Sequence, residues 1–138
     1  MPTTTESVTL LDVRSILADG GEPLDLILSM AASIAIGNAL DLIAPFDPRP
    51  LYPVLQLRGF RAWKTPEDGG ATRVRFTQTG IVSATTLAEA AARGSATAAV
   101  LGRHGMDACC SGPKTLEFAA RAHGIELSVL LGELQGVA

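Results

Sequence analysis

Aromatic side chains are scarce in this chain: one Trp, one Tyr and four Phe among 138 residues. A core must therefore be built from aliphatic side chains and alanine, and a hydrophobic content of 47% suffices for that. Positive charge is scarce too. Eleven Lys and Arg stand against fourteen Asp and Glu, a net charge of −3, so the clustered basic surface that grips nucleic acid is not expected. Long apolar runs are lacking: the longest, Leu26 to Ile36, contains Ser29 and Ser33 and is too short to span a bilayer. The first residues, Met1-Pro2-Thr3-Thr4-Thr5-Glu6, have neither the basic region nor the apolar core of a signal peptide. The expectation is a soluble, cytoplasmic protein without membrane contact. No Gly-rich phosphate loop, nucleophile elbow or paired acidic site is found, so a non-enzymatic role is expected.

Cysteine is nearly absent, and its placement is what matters. Both cysteines are adjacent, in Arg103-His104-Gly105-Met106-Asp107-Ala108-Cys109-Cys110-Ser111-Gly112-Pro113-Lys114. Neighbouring Cα atoms are about 3.8 Å apart, whereas a relaxed disulfide needs roughly 4.4–6.8 Å. A Cys109–Cys110 bond would be strained, easily reduced and useless as a staple, because it closes no loop. Redox or metal chemistry is the sharper reading in a reducing compartment. The blander one is that free cysteine is a small buried hydrophobe. Gly105, Gly112 and Pro113 predict an irregular loop, the condition for both sulfurs to reach one ion. Arg103, Lys114 and a helix start near Pro113 or Thr115 favour the thiolate, and Asp107 opposes it. His104 is the nearest nitrogen donor and His123 the next; each ends a helix, where a protonated His is favourable without any further role. Two thiolates rarely complete a coordination shell. Iron or another soft metal held by Cys109 and Cys110 would need His104 or a second copy of the chain.

Residues 1–80 read as an α+β unit. Ser7–Asp12 and Ala39–Ala44 are predicted strands, and Asp19-Gly20-Gly21-Glu22-Pro23 feeds a helix that Gly37-Asn38 ends. A rigid turn, Pro45-Phe46-Asp47-Pro48-Arg49-Pro50, leads to a short helix ended by Gly59. Phe60–Thr65 and Ala71–Gln78 make a hairpin. The order β-α-β-α-β-β implies a two-layer sandwich with helices on one face of a four-stranded sheet and the other face open. Arg61, Trp63, Arg73 and Arg75 are predicted on that open face, either as a solvated surface or as a docking site for a protein partner. Asp12, Asp25, Asp41 and Asp47 are expected to cap or terminate elements.

From Gly80 the composition turns to a Gly/Ser/Thr linker and then to alanine-rich helix. Residues 84–138 read as a small all-α domain with helices near 86–93, 95–104, 114–123 and 126–135. Ser95 is a predicted N-cap, and Leu127, Leu130, Leu131 and Leu134 form one apolar stripe. So small an alanine-rich domain is marginal alone, and is expected to lean on a neighbour, a homodimer or a metal.

Two resemblances follow from these residues. Leu10-Leu11-Asp12-Val13-Arg14, Glu22-Pro23, Asp47-Pro48-Arg49-Pro50-Leu51-Tyr52 and Arg58-Gly59-Phe60 resemble the uncharacterised branch of the TusA-like sulfur-carrier fold. The carriers bear Cys-Pro-x-Pro before the first helix, where this chain has Gly20-Gly21-Glu22-Pro23, so carriage at that site is not expected. The stretch from Thr86-Leu87-Ala88-Glu89 through the paired cysteines to Thr115-Leu116-Glu117 and Gly124-Ile125-Glu126-Leu127 resembles the N-terminal helical domain of ScdA-type iron-sulfur cluster repair proteins. In that family His104 is more often Tyr, and Ala120 frequently a third cysteine. No His/Glu-rich four-helix bundle follows in this sequence, so the family's di-iron site is not expected here. The resemblance implies a role near nitric oxide stress, denitrification or iron-centre maintenance. Competing readings are an adaptor using the open sheet face, and a sulfur-transfer protein using Cys109 or Cys110.

Overall fold

Strand alternation sets the first half. A computed structural model describes residues 7–106 and 112–138. The described residues up to Leu55 form one compact unit with Arg61–Gln78, and Gln56–Phe60 form a second with Thr79–Ala138.

In the first unit, β1 (Val8–Asp12) runs parallel to β2 (Ala39–Ala44), which pairs antiparallel with β4 (Thr72–Gln78); β3 (Phe60–Pro66), part of this unit from Arg61 on, lies outside β4. The register pairs Leu11 with Leu42, Leu42 with Val74 and Leu40 with Phe76, all buried and all on one face. Residues paired across strands share a face, so Leu10, Asp41 and Arg75 lie together on the other, as do Ile43 and Arg73. Helices cover the apolar face. Asp12 ends β1 and its Oδ1 accepts the Arg14 amide at 3.0 Å, which turns the chain into α1 (Arg14–Ala18). That five-residue helix was not expected, being too short to show a period. Glu22 Oε1 then accepts the Leu24 amide at 3.0 Å and starts α2 (Leu24–Ala32), which buries Ile27 and Ala31. α2 stops at Ala32, short of the expected Gly37-Asn38. Those two residues instead dock on the end of β4, through Gly37 N to Gln78 O (2.8 Å) and Gln78 N to Asn38 O (2.9 Å). α3 (Leu51–Leu57) buries Leu55, and the chain reverses at Gly59, whose φ of +99° disfavours a β-carbon. The α+β order is as expected, with one helix added.

The second unit is helical: α4 (Leu87–Ala92), α5 (Ser95–Arg103), α6 (Leu116–Ala122) and α7 (Leu127–Val137). α4 opens on a reciprocal cap, Thr86 Oγ1 accepting from Glu89 N (3.1 Å) while Glu89 Oε1 accepts from Thr86 N (2.9 Å). Thr115 caps α6 through Phe118 N at 3.1 Å. Ser95 does not cap; it is the first helical residue, after Gly94. Leu130, Leu131 and Leu134 are fully buried with Leu87, Leu101, Leu116 and Ile81, and Leu127 packs at the edge of that cluster. Gln135 is buried among them, its Nε2 donating to the carbonyls of Gln56 and Ile81, both at 2.9 Å.

Candidate functional site

The two caps of the helical unit also tie together the start of α4 and the residues that follow the cysteines. Thr86 and Thr115 face each other in an antiparallel bridge. Around it, Leu87 N donates to Lys114 O (2.9 Å), Ala88 N to Gly112 O (3.1 Å) and Leu116 N to Thr85 O (2.8 Å). The residues that follow the cysteines are thereby bonded to the first turn of α4. Those that precede them are fixed as well. Gly105 takes φ +71° after α5, Met106 N donates to Leu101 O at 2.9 Å, and the Met106 side chain is buried in the core. Cys109 and Cys110 themselves lie outside the described residues, three and four positions after Met106.

His104, the expected nitrogen ligand, is the C-cap of α5. Its Nε2 lies 2.6 Å from Glu133 Oε1 on α7, and Arg103 reaches the other oxygen of that carboxylate at 3.8 Å. In a neutral ring, donation to an ionised Glu133 would put the proton on Nε2 and the lone pair on Nδ1. A carboxylate on one ring nitrogen is how metal-ligating imidazoles are oriented, and equally how a structural histidine ties two helices. Glu133 carried no signal in the sequence beyond being a charged residue beside a leucine stripe. His123 ends α6 and is exposed; with Leu87, Met106, Lys114 and Phe118 it lines a cavity of about 150 Å³. Lys114 Nζ stands 4.7 Å from the centre of the Phe118 ring. Among the described residues, no three His, Cys, Asp or Glu side chains converge as a metal site.

The four residues expected to form an interaction surface divide into two kinds. Arg73 and Arg75 turn to Asp41. Arg75 donates through Nε to Oδ1 (2.8 Å), and Arg73 through a terminal nitrogen to Oδ2 (3.1 Å). Arg73 also reaches Glu67 at 3.2 Å. Asp41, expected to cap or terminate an element, sits instead in mid-strand and is 2% exposed. A charge inside the apolar run Ala-Leu-Asp-Leu-Ile-Ala was the available signal, because such a residue needs a buried partner. Burial alone would raise the Asp41 carboxyl; the hydrogen bonds and charge of Arg75, then Arg73, outweigh it and hold the group below the ordinary carboxylate range.

Arg61 and Trp63 are exposed, Trp63 at 72%. Their neighbour Lys64 bonds Asp47, which also accepts the Tyr52 hydroxyl, and the Tyr52 ring meets Phe76 on the helix-covered face. Alternation therefore sends Arg61 and Trp63 to the opposite face, that of Arg73 and Arg75. Leu10, 57% exposed, and Val8 lie there on β1.

Against known proteins, residues 10–78 match the family model of an uncharacterized conserved protein, DUF2249. Residues 83–138 match ScdA_N, a domain of unknown function (DUF542). The two matches divide the chain into the same two parts as the sequence does. No curated protein and no solved structure matches it.

Proposed function

For a chain that belongs to the DUF2249 family of uncharacterized conserved proteins and continues into an ScdA_N domain, we propose a non-enzymatic redox or metal module serving iron centres. Its working groups are Cys109 and Cys110, with His104 as the nitrogen donor, and it acts in the cytoplasm in iron-centre maintenance or the response to nitric oxide. The likeness of the first half to TusA-like carriers belongs to this proposal as a relation of fold only. In this chain Glu22, within the stretch where carriers hold their thiol motif, accepts the Leu24 amide at the start of α2.

The observation that carries the reading is the Glu133–His104 contact at 2.6 Å, five residues before Cys109. The contact orients an imidazole close in sequence to the chain's only thiols, and the described residues on either side of that stretch, Met106 and Gly112, are hydrogen-bonded into the helical unit. Two thiolates and an imidazole are a soft to borderline donor set that suits iron, zinc or copper and leaves a position open. A second copy of the chain or a small ligand such as nitric oxide would fill it. When bound, the metal would supply electron transfer or ligand exchange. The residues of this chain would supply the donors, and Glu133, by holding Nε2 of His104, would leave Nδ1 as the ligating nitrogen.

Anaerobic purification with metal analysis and an absorption spectrum tests the reading. Metal or thiolate charge-transfer absorption should appear and be lost in Cys109→Ser/Cys110→Ser, and weaken in His104→Ala. Absence of metal and of thiol reactivity, with an unchanged fold in the double variant, would refute it. A persulfide found on either thiol by mass spectrometry would assign sulfur transfer instead.

A second reading has its own observation, the 72% exposure of Trp63. With Arg61, Arg73, Arg75 and Leu10 it has the composition of an interface hot spot, and would make the sheet face a protein-docking surface. A pull-down in which Trp63→Ala loses a partner that the cysteine variant keeps would favour it.

A further inference from the structure

The first unit holds a cavity unrelated to either site. It measures about 310 Å³ and opens between α1, the start of α2 and the turn before α3. Ile27, Leu42 and Ala44, each at most 2% exposed, line it, together with three prolines, Pro23, Pro48 and Pro50. The walls are held in place. Proline fixes its own backbone angle. The turn that carries Phe46, Pro48 and Pro50 is pinned by Asp47, which accepts the Tyr52 hydroxyl at 2.5 Å and pairs with Lys64 at 2.9 Å. A pocket that is preformed costs its ligand little reorganisation.

Glu22 is the one charged residue in this otherwise apolar lining. Its Oε1 accepts the Leu24 amide at 3.0 Å, which fixes the carboxylate at the rim. An ionised carboxylate offers about four acceptor directions, and this bond uses one. Three cations of this unit are already engaged: Arg14 pairs with Asp12 at 2.6 Å, and Arg49 and Lys64 both pair with Asp47. The negative charge at the rim is thus left for a ligand to answer.

We infer that this pocket binds a small organic cation, with its apolar body against Ile27, Leu42 and Ala44 and its ammonium on Glu22. The volume is at the low end of ligand pockets, about 300–1,000 Å³, which suits a single ring or short branched chain and excludes nucleotides. An apolar anion is disfavoured by the same carboxylate.

The test uses the full chain, with methyl NMR on Ile27, Leu42 and Ala44. Three probes of one shape are compared: phenethylamine as its ammonium, 2-phenylethanol and 3-phenylpropanoate. The expected order is cation over alcohol over anion, with about a fivefold advantage of the cation over the alcohol, the upper range for an exposed charge pair. Glu22→Gln keeps an acceptor for the Leu24 amide and should erase that advantage while leaving alcohol binding unchanged. Absence of saturable shifts, equal binding of the three probes, or an order unaffected by Glu22→Gln would each overturn the inference. So would the same shifts on raising protein concentration alone, which would assign the pocket to a second copy.

Discussion

Replacing Asp41 by Asn tests whether the charged centre of the open sheet face stabilises the first unit. The change keeps the shape of the side chain and removes the charge that two guanidiniums answer. Three N–H···O bonds converge on the carboxylate, at 2.8, 3.1 and 3.1 Å. Hydrogen bonds to a charged group contribute about 1.5–3 kcal/mol each, which would give a large sum. The sum must be discounted: the Arg73 and Arg75 side chains are 36% and 43% exposed and regain water, and Arg73 keeps Glu67. A net loss of about 2 kcal/mol remains. Urea denaturation followed by circular dichroism should show this gap at neutral pH. Its pH dependence has a definite sign. The folded-state pKa of Asp41 lies below the unfolded value, so its contribution is full above about pH 4 and is lost as pH falls through the folded value. The variant carries no such group, so the gap should close on the acid side. A gap below about 0.5 kcal/mol at neutral pH, near the noise of a surface change, would refute the reasoning. So would one that persists undiminished in acid.

Three further outcomes are expected. Gln135→Leu removes both side-chain bonds and strands the Gln56 and Ile81 carbonyls, and should cost about 2 kcal/mol in chemical denaturation; a neutral result would mean those carbonyls find other donors. Thr86→Ala breaks the reciprocal cap of α4 and should cost about 1 kcal/mol, with Thr86→Ser recovering most of it. Tyr52, the only tyrosine, is held above its ordinary pKa by burial and then by its bond to Asp47. Its ultraviolet titration should therefore show no midpoint near pH 10, and stability should fall as pH rises beyond about 10, where the unfolded phenol ionises. An ordinary titration in the folded protein would disprove the Tyr52–Asp47 bond.

The fold was legible wherever a local pattern decided it. The strand Ala39–Ala44 is legible to the residue, because a six-residue, mostly apolar run set between Gly37-Asn38 and Pro45 is too short for a buried helix. The faces of β4 followed from alternation, with Val74 and Phe76 buried and Arg73 and Arg75 opposite. The leucine stripe of α7 followed from its helical period. α1 is not legible because one turn and a half of helix shows no period; its start is marked only by the Asp12 carboxylate accepting the Arg14 amide. Ser95, the expected cap, differs by one residue for a related reason: Gly94 holds the cap position, and cap chemistry alone cannot tell adjacent small residues apart.

The candidate site was legible only in its one-dimensional part. Adjacent cysteines and a nearby histidine can be read along the chain, but what a group is bonded to across the fold cannot. Glu133 reaches His104 over 29 residues, and Arg73 reaches Asp41 over 32. Asp41 shows the difference most clearly. Read locally, it was one more acidic residue fit to end an element. Read through the register it pairs directly with Arg75, and the unfavourable burial of its charge becomes the reason two arginines of β4 turn inward. The same logic separates the four residues of the open face. Arg73 and Arg75 are engaged in holding Asp41, so a docking surface there would draw its contact energy chiefly from Trp63, Arg61 and the exposed leucine of β1.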